Sequence, residues 1–128
     1  MLVGLPTTLN QPKMECHMEV TTTQYKRCDL VKPTGRIDGS TAPQLEEALK
    51  AITEAGRYKL VLDMSDVNFV SSAGWWVLIR TQKTCRRYKR GEVVLACLDP
   101  KIRSSLDLVG MGTYFTIYDD VTSAVGNF

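Results

Sequence analysis

The 128-residue chain predicts a single α/β domain, with a mostly parallel central sheet and helices packed mainly on one side. Three observations predict it. Leu60-Val61-Leu62 and Val93 to Leu98 are short, almost unbroken apolar runs, the pattern of strands covered on both faces. Leu45, Ala48, Leu49 and Ile52 recur at i, i+3, i+4 and i+7, one apolar face of a helix. Strand-like and helix-like stretches then alternate to the end of the chain, which implies right-handed crossovers between parallel strands.

The elements follow in the order β-β-α-β-α-β-α-β-α. Residues 1–12, with Gly4, Pro6, Asn10 and Pro12 and no periodicity, read as a flexible arm, and residues 13–128 as the domain. Met14, Cys16, Met18 and Val20 alternate with Glu15, His17, Glu19 and Thr21, a half-buried strand at a sheet edge. Polar residues 21–24 read as a turn, and Tyr25 to Thr34 as a second strand. Pro33 argues against full pairing near its end. Gly35 to Gly39 makes a loop. Thr41 and Gln44 have the spacing of a capping box for the first helix, Pro43 suits its first turn, and Gly56 stops it. After the Leu60 strand, a polar turn over Asp63 to Asn68 leads through Phe69-Val70 to a helix from about Ser72 to Arg90, ended by Gly91. Asp99, with Pro100 behind it, caps a third helix whose inner stripe is Ile102, Leu106 and Val109; Gly110 ends it. Tyr114 to Tyr118 is a last short strand, and Asp119 opens a final helical stub.

Composition narrows the function. Hydrophobic residues make up 44% and charged residues 23%, ordinary for a globular domain with its own core. No apolar stretch is long enough to cross a membrane, and the opening residues lack the charged start of a signal peptide, so a cytoplasmic protein without membrane partners is expected. Cys16, Cys28, Cys85 and Cys97 are scattered, with no CxxC pair and only His17 to join them, so no metal site is expected. Cys16, Cys85 and Cys97 fall on core-facing stretches, and the expectation is free thiols. There is no GxGxxG, Walker A, HExxH or GxSxG, and no cofactor is expected. The chain reads as a non-enzyme.

Chemistry concentrates where a buried strand, a tight loop and a pair of hydroxyls meet a helix start, at Ser71-Ser72-Ala73-Gly74. On periodicity alone, Ser71 or Ser72 caps that helix. The helix itself has an inward stripe of Val77, Leu78, Thr81, Cys85 and Tyr88. Trp76, Arg80, Lys83 and Arg87 fall on an opposite stripe. An exposed Trp76 beside the serines is a candidate hot spot for a protein partner, whereas Trp75 reads as packed under the loop.

Gly35, Ile37 and Asp38 before the first helix, and Asp63, Ser65, Phe69, Ser71, Ser72, Ala73 and Gly74 before the second, resemble the two motifs of a STAS domain of the anti-sigma factor antagonist family. Ser104 to Gly110 is similar to that family's third-helix ending. The resemblance runs from about Met14 to the end. It implies that Ser72 is a phosphoacceptor, with Asp38 near it. Asp38, Ser71, Ala73 and Gly74, joined by Trp76 and Arg80 from the helix stripe read above, are the candidate partner-binding residues. The implied partners are an anti-sigma factor with serine kinase activity, bound when Ser72 is unphosphorylated, and a PP2C-type phosphatase that resets the modified protein. The resemblance leaves room for a homodimer.

Two other functions compete. One is a STAS scaffold or transport-associated module that binds constitutively in a larger assembly. The other is nucleic-acid binding through Arg80, Lys83, Arg86, Arg87, Lys89 and Arg90. A net charge of only +2, and a lack of interleaved aromatics apart from Tyr88, argue against a nucleic-acid partner.

Overall fold

A computed structural model describes residues 18–88 and 91–128. The expected arm, the strand start at Met14 and Cys16, and His17 lie outside the described residues. The order is β1 (Met18–Gln24), β2 (Asp29–Ile37), α1 (Ala42–Glu54), β3 (Lys59–Asp63), β4 (Val67–Val70), α2 (Ser72–Arg87), β5 (Glu92–Ala96), α3 (Pro100–Leu108), β6 (Thr116–Tyr118) and α4 (Val121–Gly126). The sheet runs β1-β2-β3-β5-β6, with β4 beside β2. Only β1 against β2 is antiparallel; the other pairings are parallel.

The central strands are buried as their apolar runs require. Leu60, Val61 and Leu62 of β3, and Val93, Val94, Leu95 and Ala96 of β5, are fully enclosed. Alternate residues serve opposite faces. Leu60, Leu62, Val93 and Leu95 join Leu45, Leu49, Leu78, Ile102 and Leu106 in the larger core, under α1, α2 and α3. Val61 and Val94 meet Ala124 of α4 on the other face.

Several local expectations are corrected. Residues 21–24 are not a turn: β1 continues to Gln24, which pairs with Asp29. Its exposed threonines look turn-like because an edge strand needs an apolar residue only where it covers the core. The second strand does not begin at Tyr25. It spans Asp29–Ile37, and Pro33 falls between the residues paired with β3, which end at Val31, and those paired with β4, which begin at Gly35. Val67–Val70 is a strand of its own, short enough to pass for part of the turn.

The capping box does not form. Thr41 Oγ1 donates to the Arg36 carbonyl at 2.7 Å and accepts from the Asp38 amide at 2.9 Å, while Gln44 Nε2 donates to the Met18 carbonyl at 2.9 Å. These two side chains tie α1 to β1 and β2 instead. The C-terminal signals hold, with Gly56 at φ 87° and Gly110 at φ 77°. Asp99 caps α3 by accepting from Lys101 N, and Asp120 rather than Asp119 caps α4. On α2 the helix stops at Arg87, and Tyr88 is exposed, stacked on Tyr58. The enclosed positions nearby are Ile79 and Gln82. Cys28 and Cys85 are buried and Cys97 only half-buried; these described cysteines are free thiols. Burial pushes the Cys85 thiol up to about 12.

Candidate functional site around the start of α2

The site lies where β2 and β4 end side by side. Ile37 and Val70 are register partners, and the Ser71 amide donates to the Ile37 carbonyl at 2.8 Å. Ser71 is the N-cap of α2: its backbone is extended, and its Oγ accepts from Gly74 N at 3.3 Å. Its carbonyl takes the next amide, that of Trp75, at 3.0 Å. Capping therefore falls to Ser71.

Ser72 is the first residue of the helix. It is exposed, and its hydroxyl has no hydrogen-bond partner among the described residues. The amides of Ser72 and Ala73 precede the first intrahelical bond, have no acceptor among the described residues, and lie at the positive end of the helix dipole. Ala73 is exposed beside them. Gly74 is buried, and what it contributes is close approach. A Cβ there would lie 2.6 Å from Ile37 Cγ2, 3.0 Å from Val70 Cγ1 and 3.1 Å from the Ile37 carbonyl oxygen.

Behind the serines, Trp75 is fully buried. Its Nε1 donates to Ser105 Oγ at 2.9 Å, and Ser105 Oγ donates to the Val70 carbonyl at 3.0 Å. The relay links α2, α3 and β4, and satisfies the one polar atom of the indole. Trp75 therefore sits inside, while the adjacent Trp76 is 45% exposed. Arg80, Lys83 and Arg87 are exposed along the same helix face, and Arg80 Nη2 meets Glu46 Oε2 of α1 at 3.2 Å.

Asp38 follows Ile37 directly, yet its carboxylate bonds neither Ser71 nor Ser72. Its Oδ1 accepts from Ser40 Oγ at 2.7 Å, Ser40 N at 3.0 Å and Thr41 N at 3.2 Å, and its Oδ2 lies 3.5 Å from Arg36 Nε. The Ser40 hydroxyl and amide, assisted by Thr41 and Arg36, hold the carboxyl below the usual carboxylate range. Arg36 also lies over the Phe69 ring, 4.3 Å from its centre, and Phe69 is 39% exposed. The sequence motif contained Phe69, but nothing in residue spacing pairs it with Arg36; only the β2–β4 register does.

Among the described residues no group of His, Cys, Asp and Glu could hold a metal ion, and no helix is long and apolar enough to cross a membrane. The family model for the STAS domain matches residues 19–124. A Bordetella bronchiseptica protein, BtrV, named as an anti-sigma factor antagonist, is 31% identical over 94 residues, covering 73% of this chain and 80% of its own. The solved structure of an anti-sigma factor antagonist from Mycobacterium paratuberculosis is similar at a TM-score of 0.79 and 25% identity, covering 89% of this chain and 96% of that one. Bacillus SpoIIAA in its unphosphorylated form shares the fold at a TM-score of 0.73 and 14% identity, over 85% and 95% of the two chains. With its two motifs placed at one helix start and a match along most of its length, this chain belongs to the STAS-domain family of anti-sigma factor antagonists.

Proposed function

We propose that this protein is a phosphorylation-switched binding domain. It binds an anti-sigma factor that is also a serine kinase while Ser72 is unmodified, and so frees a sigma factor; phosphorylated on Ser72, it lets go, until a PP2C-type phosphatase removes the group. The domain supplies only the acceptor: Ser72 Oγ takes the γ-phosphoryl group of the kinase's nucleotide, and its proton passes to a base on the kinase. The observation that carries this reading is the division of labour between the serines. Ser71 satisfies the helix start, which leaves the Ser72 hydroxyl unengaged and in solvent.

The same geometry accounts for the direction of the switch. A phosphate brings about −1.5 to −2 charges at neutral pH. The free amides of Ser72 and Ala73 and the helix dipole accommodate them, so modification leaves the domain folded. The penalty falls on the complex, where a dianion replaces a hydroxyl in a desolvated interface. Trp76 supplies the large apolar contact beside it, with Asp38, Ala73 and Arg80 around.

The test uses wild type, Ser72→Ala and Ser72→Asp as bait in host lysate, with captured proteins identified by mass spectrometry. A kinase-fold anti-sigma factor retained by wild type and Ser72→Ala, but not by Ser72→Asp, is the expected result. Incubating the captured kinase and ATP with wild type should add one phosphoryl group, and with Ser72→Ala none. Identical partners on all three baits would mean constitutive scaffolding, and the switch would be wrong.

A further inference from the structure

At the other end of β2, the turn between β1 and β2 and the connection from α1 into β3 enclose a cleft of about 190 Å³, lined by Arg27, Cys28, Asp29, Arg57, Tyr58 and Lys59. Asp29 opens β2 at this cleft and Ile37 closes it at the serines, so the strand separates the two places by roughly 25 Å. The floor is a preorganised ion pair. Asp29 is buried, and Arg57 Nε donates to its Oδ1 while Arg57 Nη2 donates to the carbonyls of Tyr25 and Cys28. The Asp29 carboxylate and the Arg57 guanidinium therefore neutralise each other.

The rim is only partly neutralised. Neither Lys59 nor Lys26, in the adjoining turn, has a salt bridge among the described residues, while Arg27 donates at 3.5 Å to an oxygen of Phe128, the last residue of the sequence. Glu92, opposite Lys59 in the β3–β5 ladder, lies 3.9 Å from Arg86 and accepts from Thr116 at 3.3 Å. Residues 25–29 and 56–59 together hold four cations and one carboxylate, in a chain whose whole surplus is +2. This is a local concentration of positive charge round a concave feature, not a uniformly basic surface.

We propose that the cleft receives carboxylate side chains from an acidic segment of a polypeptide partner, with Arg27 and Lys59 as its rim contacts. Charge complementarity selects an acidic ligand. A polynucleotide would call for a track of cations with open aromatic faces along it. Here the cations gather round one cleft rather than along a track; of the rings beside it, Tyr58 and Tyr88 stack on each other with centres 5.3 Å apart, and Tyr25 stands exposed in the turn. The site is independent of Ser72 and of the switch assigned to it.

Fluorescence anisotropy of a labelled oligoglutamate peptide, at low and raised ionic strength, tests this. Wild type should bind, more weakly as salt rises. Arg27→Gln/Lys59→Gln should weaken binding about tenfold or more, with an unchanged melting temperature because both side chains stand at the rim. Lys50→Gln/Lys101→Gln removes the same charge from exposed positions on α1 and α3, and should stay within about twofold of wild type. No binding by wild type, or equal losses in the two double variants, would overturn the proposal. So would tighter binding of oligothymidylate or of phosphatidylserine vesicles through the same two residues, since the ligand would then be a nucleic acid or a membrane.

Discussion

Replacing Ser71 and Ser72 by alanine, one at a time, separates capping from phosphoacceptance in two neighbouring hydroxyls. Loss of an N-cap side chain costs about 0.5–2 kcal/mol. The Ser71 Oγ bond to Gly74 N, at 3.3 Å, is at the long end for an N–H···O bond. Ser71→Ala should therefore cost about 0.5–1 kcal/mol, a fall of roughly 2–5 °C in melting temperature for a domain of this size. Ser72 engages no partner and occupies the first helical position, where alanine is at least as good. Ser72→Ala should stay within about 0.5 kcal/mol of wild type. Ser72→Asp places a charge against the free amides and the dipole, and should gain about 0.3–1 kcal/mol at low ionic strength. Urea unfolding followed by circular dichroism at neutral pH reads all three. A larger loss for Ser72→Ala than for Ser71→Ala would make Ser72 the cap, and would remove the reason for expecting its hydroxyl to be available to a kinase.

Three further outcomes follow from the same contacts. Trp76→Ala should weaken capture of the partner while barely moving the melting temperature, since the ring is half exposed; equal loss of binding and stability would show it to be a core residue. Ser105→Ala leaves Trp75 Nε1 and the Val70 carbonyl without their partner, and should destabilise by about 1–3 kcal/mol in urea titrations. A change below about 0.5 kcal/mol would refute the relay. Asp38 has its folded-state pKa lowered by Ser40, Thr41 and Arg36, so its contribution is present above the ordinary carboxylate value and fades as pH falls through the lowered one. Amide protection factors at the α1 start should fall over that acid range in wild type, and be already lower and flatter with pH in Asp38→Asn.

How much of this could be read from residues alone depends on what each feature rests on. The enclosed strands β3 and β5 announce themselves, because a strand covered on both faces can afford no polar residue. Helices α1 and α3 are equally plain, with apolar stripes closed off by Gly56 and Gly110 at positive φ. The polar half of β1 was not legible, since its threonines gain their structure from pairing with β2. Nor was Gln82: a glutamine on an apolar stripe looks misplaced until the Val93 and Tyr114 backbone groups it bonds are known. At the site the motif located the two serines, but not which of them caps. That depends on the backbone angle at Ser71 and on the register that sets Ile37 beside Val70. The Arg36–Phe69 contact, and the cleft between Arg27 and Lys59, join segments more than thirty residues apart, and no local pattern encodes either.

The chain's two tryptophans, adjacent in sequence and opposite in environment, give the molecule a pair of optical probes. Trp75 emits from a dry interior with its N–H held by Ser105, so its spectrum should be blue-shifted and inaccessible to iodide. Trp76 emits from the edge of the serine site, in water. Docking of a partner there should desolvate the second indole alone, turning a two-component Stern–Volmer plot into one without a quenchable fraction. The interior ring serves as the reference against which occupancy of the face is read, with no label attached.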